Sequence, residues 1–183
     1  MCDHCGCRTL TPVARLMAEH DRLRELSGQI RQSLAGADEV TARRLFDDLL
    51  VVLGPHVQEE EGALFPVLRG QAELTEHVDL LAGEHAELYD AVDDLPEPPT
   101  PSAQGHSGQG HSGQGHSGQA HSGAWRDGVL AILHELDEHM FKEDFGLFPA
   151  AIALLDGDDW DAMERAEQAT GGPVGEPAGT APA

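Results

Sequence analysis

The chain has 183 residues, enough for one ordinary domain with its own core. Hydrophobic residues make up 40% of it but aromatics only 4%, so Leu, Val and Ala must fill that core. A formal net charge of −22 repels phosphate backbones and anionic lipid, which argues against nucleic acid and membranes as partners.

Residues 1–10 form a Cys-rich leader. Cys2, Cys5 and Cys7 crowd beside His4 and no Cys follows, so the chain is not a disulfide scaffold. Two readings stand for CDHCGC: a secondary site for zinc, copper or iron at Cys2, Cys5 and Cys7, or an exposed thiol-rich leader. The leader lacks the basic and apolar regions of a signal peptide, and no apolar run approaches the length of a spanning helix, so a cytoplasmic location is expected.

Four long helices are expected next. The first starts near Thr11-Pro12 and carries the stripe Val13, Leu16, His20, Leu23, Ile30, Leu34, interrupted by Ser27. The second spans about 38–68, with Leu45, Leu49, Val52, His56, Ala63 and Val67 inward and a kink expected at Gly54-Pro55. The third covers about 72–94, with Leu74, Val78, Leu81, His85, Leu88 and Val92 inward. The fourth starts after Ser122 and runs to about 154 along Val129, Ile132, Leu136, His139 and Glu143. A short fifth helix is expected at about 158–168, and residues 169–183 read as a disordered tail rich in Gly, Ala and Pro. Residues 96–121 form an insert within the 11–168 domain: a stiff PEPPTP run, then GHSGQ repeats that place His106, His111, His116 and His121 five residues apart. It reads as a flexible linker or as a weak surface site for nickel, copper or zinc.

Within these helices two segments are near copies. HVQEEEGALFP begins at His56 and HMFKEDFGLFP at His139, each His-x-x-x-Glu followed by Leu-Phe-Pro. EHDRL around His20 and EHAEL around His85 precede them. Each His lies on a core stripe, and residues i and i+4 lie about 40° apart on a helix, so Glu60 faces the way of His56 and Glu143 that of His139. A lone core His is usually structural. Four at matched levels of a duplicated pattern, two with a carboxylate one turn on, point instead to two adjacent cations, because buried glutamates need compensating charge.

Other clusters are weaker. His134 and His139 are i and i+5, about 140° apart, which rules out the zinc-peptidase helix. His134 reads as an edge residue or one that supports a ligand, His77 as a weaker ligand candidate, Glu59 as unsupported and Glu61 as a solvated charge. The Glu-x-x-His pattern of ferritin-like bundles is absent, and DGDDWD lacks the glycine and spacing of a calcium loop.

On His20, His56-x3-Glu60, His85 and His139-x3-Glu143, with Leu-Phe-Pro after each Glu, the chain resembles the hemerythrin-like (HHE cation-binding) family over about residues 11–168. The resemblance implies an all-α, up-down four-helix bundle with a non-haem di-iron centre, two Fe ions joined by an oxo or hydroxo bridge. His20 and His56 would serve one iron, His85 and His139 the other, with Glu60 and Glu143 bridging. It implies a small ligand, O2, NO or H2O2, bound or reacted there; a sensor or binding module without turnover is the alternative. Oxygen carriers of the family have a fifth His where this chain has Leu81. Two coordination positions would then be open rather than one; Tyr89, one turn after His85, reads first as a packing residue or a support to the ligands and second as a candidate to fill one of them.

Overall fold

The computed structural model describes residues 11–97 and 115–170. Four helical rods form an up-down bundle. Helix α1 is Thr11–Ala35. The second rod is α2, Glu39–Glu59, a π turn at Glu60–Leu64, and α3, Phe65–Leu68. The third is α4, Thr75–Asp93. The fourth is α5, Gly115–Lys142, a second π turn at Glu143–Leu147, and α6, Phe148–Leu154. Helix α7, Gly157–Thr170, then packs over the first π turn and α3. Among the described residues there is no strand.

The amphipathic stripes account for this packing. Val13, Leu16, Leu23, Ile30 and Leu34 are all buried, and so is Ser27 despite its hydroxyl. The core divides into two apolar clusters. One gathers around Leu26, Leu49, Leu133 and Leu136. The other gathers around Leu16, Phe65, Leu81 and Phe148, with Met163 of α7. The six stripe residues singled out by the repeat are buried as well.

The second rod stays α-helical through Gly54-Pro55, and its ladder changes at Glu60. One expectation differs in detail. The fourth rod begins at Gly115, inside the GHSGQ repeats, rather than after Ser122. The expected insert of 96–121 is therefore helical over its last residues. The sharp turn between α1 and α2 places Ala37 at φ 57°, and Asp38 caps α2 by accepting from the Thr41 amide at 3.1 Å. The Cys leader, most of the insert and the tail after Thr170 lie outside the described residues. No described helix is long and apolar enough to cross a membrane.

Candidate metal centre

The duplicated sequence produces a duplicated backbone. In both copies a π turn starts at the Glu of His-x3-Glu, and the Phe65 and Phe148 amides reach back to the Glu60 and Glu143 carbonyls. Pro66 and Pro149 follow at once and have no amide to donate, so each widened turn sits where the α ladder would break anyway.

The turns aim both carboxylates at the bundle axis. His20, His56, Glu60 and Glu143 bring one donor atom each within 4.8 Å of one another. Glu60, His85, His139 and Glu143 do the same. The two groups share both carboxylates. Glu60 lies 3.4 Å from His56 Nε2 and 3.4 Å from His85 Nε2. Glu143 lies 3.4 Å from His139 Nε2 and 3.2 Å from His20 Nε2. His20 and His56 turn their Nε2 atoms toward each other at 3.0 Å.

On the outer side each imidazole meets a carboxylate through Nδ1. His20 pairs with Asp144 at 2.8 Å, His56 with Glu19 at 2.9 Å, His85 with Glu61 at 3.0 Å and His139 with Glu84 at 3.0 Å. An ionised carboxylate only accepts, so Nδ1–H donates and the Nε2 lone pair points inward. Two of these carboxylates are held by cations: Arg24 contacts Asp144 at 2.5 Å, and Lys142 contacts Glu84. Phe148 stacks on His20 and Phe65 on His85, closing the apolar side.

The inward atoms fit a cation. Both oxygens of Glu60, both of Glu143, and Nε2 of His85 and His139 are buried without a hydrogen bond. Orphaned carboxylates at zero exposure are very costly unless a positive charge lies between them. In the metal-free chain protons must serve. Burial disfavours charge on His20, but Asp144 and Glu143 outweigh it and raise its pKa to about 10. Burial, then repulsion from Glu143, pushes Glu60 up to about 8. Burial opposes ionisation of Glu143, yet His139 and His20 hold it well below 4.5. Competition between protons and a metal is built into the donor set.

The other candidates lie elsewhere. Tyr89 is 39% exposed, unlike the buried six. His134 is exposed, and His77 is half-buried against Gly146. Glu59 pairs with Arg15, which also reaches Glu167 of α7 at 2.8 Å. Leu81 is buried in the apolar cluster. Cys2, Cys5 and Cys7 lie outside the described residues. Glu61 corrects the sequence reading: although its side chain is 47% exposed, it is not merely solvated, because it orients His85. The repeat held the signal. Glu61 and Asp144 both follow the inward Glu, and Glu19 and Glu84 both precede the first His.

A four-helix bundle with histidines and shared carboxylates buried at its centre defines a helical cation-binding protein. The hemerythrin HHE cation-binding domain matches residues 11–151, and the chain belongs to that family. Helix α7 lies beyond the match. No curated protein and no solved structure matches the chain.

Proposed function

We propose that the chain is a non-haem di-iron protein that binds or reacts with a small ligand, O2, NO or H2O2. In this reading His20 and His56 hold one iron, His85 and His139 the other, and Glu60 and Glu143 bridge them. The observation that carries it is the pair of buried four-residue groups sharing two carboxylates that lack any hydrogen bond. Iron would supply redox chemistry and open positions for the ligand, with an oxo or hydroxo bridge between the ions. The chain's own residues do the rest. Glu19, Glu61, Glu84 and Asp144 fix the imidazole tautomers. Phe65, Phe148 and Leu81 keep water from one side. Cytoplasmic location belongs to the same proposal, as does the division into leader, bundle and tail.

Metal analysis of protein purified from its native host, with an optical spectrum, tests this reading. Two irons per chain are expected; one metal per chain, or zinc alone, would sink it.

A sensor role is the second reading. Leu80, Phe141 and Phe145 are exposed beside the second π turn, so a change at Glu143 has an apolar surface next to it. A large gain in protease resistance on iron loading, without peroxide turnover, would favour that role.

A further inference from the structure

The two halves of the bundle correspond residue by residue. Numbers in α4 exceed those in α1 by 65, and numbers in α5 exceed those in α2 by 83, as set by His20/His85 and His56/His139. On that register the first half fills its helix seam with Leu26 and Leu45, both buried. The second half has Ala91 and Gly128 there. Leu95 presses on Gly128 so closely that a Cβ would meet its Cδ2 at 2.6 Å. Leu95 thus takes the space beside Gly128, while at Ala91 no long side chain replaces the first-half leucine, and a cavity of about 350 Å³ lies between α4 and α5.

The cavity has an apolar floor: Ala91, Leu95, Pro96 and Ala131 supply its accessible carbon surface, over Leu88 and Ile132 of the core. Glu84, Glu87, Asp94 and Glu135 line it too, and among the described residues no Lys or Arg does. Carboxylates are common on so acidic a chain and would mean little on a flat surface. Here they border a concave apolar space, where the first half of the bundle has the buried Leu26 at the position of Ala91.

We propose that the α4–α5 cavity is a binding site for a small organic cation with an apolar body, of the alkylamine or arylamine class. A hydrated metal ion would leave the floor facing water. An anion would be repelled, and a neutral molecule would leave Glu87, Asp94 and Glu135 without a counter-charge. An ammonium at the acidic lining with its hydrocarbon on Ala91, Leu95 and Ala131 satisfies both surfaces. The site also touches the metal centre. Glu84 lines the cavity, contacts Lys142, and accepts from His139 Nδ1 at 3.0 Å. An ammonium beside Glu84 competes with Lys142 and so changes the electrostatic setting of His139. This relay, unlike the binding itself, rests on the metal-centre reading.

Benzylammonium, with benzyl alcohol and benzoate as controls, titrated calorimetrically into full-length, metal-loaded protein at physiological ionic strength tests the site. One site is expected for the amine, with the alcohol weaker by at least about tenfold, the loss of roughly 1.4 kcal/mol, and no binding of benzoate. Ala91→Leu, which restores the first-half side chain, should abolish binding while metal content and melting temperature stay unchanged. Glu135→Gln should weaken binding with the fold intact. Equal binding of amine and alcohol, or full binding by a folded Ala91→Leu protein, overturns the proposal. Amine binding that leaves the iron absorption bands unmoved overturns the relay alone. An iron-free native protein would defeat the metal reading without touching the calorimetric result.

Discussion

Glu60 and Glu143, from opposite halves of the chain, bring carboxylate oxygens within 4.8 Å of each other at zero exposure, and neither carboxylate accepts a hydrogen bond. Each carboxylate lies between two histidines, Glu60 between His56 and His85 and Glu143 between His20 and His139. Two like charges so placed, with only imidazoles beside them, form a site that is stable when cations sit between them.

Removing either kind of donor should empty the centre. His56→Ala and Glu143→Ala should each lower metal content sharply from two per chain and lower the melting temperature. Metal analysis and thermal melts check this, and a variant that keeps two tightly held ions contradicts the assignment.

The outer carboxylates should matter nearly as much as the donors. Asp144→Asn and Glu84→Gln should weaken metal binding about 10–100-fold, read by chelator competition. Glu61→Gln should cost less, because its side chain is 47% exposed and water can replace it at His85. Equal losses at all three positions would show that burial does not grade their effect.

The metal-free chain should lose stability as pH rises. His20, raised from 6.5 to about 10, contributes stability that is complete below 6.5 and lost as pH climbs through 10. Glu60, raised from 4.5 to about 8, acts in the same direction and its contribution is gone above 8. Glu143 and Asp144 are lowered, so theirs is present above 4.5 and 3.8 and lost as pH falls further. Melts of the metal-free chain should therefore peak near pH 4.5, decline as Glu60 loses its contribution toward 8, and decline further toward 10 as His20 does. Metal affinity should rise over that same alkaline range as protons leave. A melting temperature that climbs from pH 6.5 to 10 in the metal-free chain would contradict these assignments.

Ala37 adopts φ 57°, a left-handed conformation that costs a Cβ-bearing residue about 1–2 kcal/mol. Ala37→Gly should raise stability by about 0.5–1 kcal/mol after the larger backbone entropy of glycine is counted. Denaturant melts would show it, with metal content unchanged.

Leu81→His tests the open-position argument. Residue 81 lies one turn before His85, so an imidazole there can reach the same metal. The ferrous variant should oxidise more slowly in air than the parent. Its metal-free form should be less stable by about 1–3 kcal/mol, since a buried apolar side chain becomes polar. If the parent already cycles oxygen reversibly, the argument fails.

Sequence alone determined the helical class, the four long rods and the six His and Glu side chains buried together at the centre. It could do so because helical period and duplication are local: His20, His56, His85 and His139 sit in register with leucines that must be buried, and Glu60 and Glu143 follow one turn on. The tertiary structure decided what depends on how one helix is rotated and raised against the next. Glu19 serves His56 and Glu84 serves His139 across helix pairs, and Glu61 reaches back to His85. No periodicity within one helix encodes such a pairing. The π turns were equally hidden, because a widened turn is held by the packing around it rather than by the preference of its own five residues. The open α4–α5 seam likewise shows only where Ala91 and Gly128 face each other's helix, since a small residue leaves a cavity only when its neighbours cannot close in.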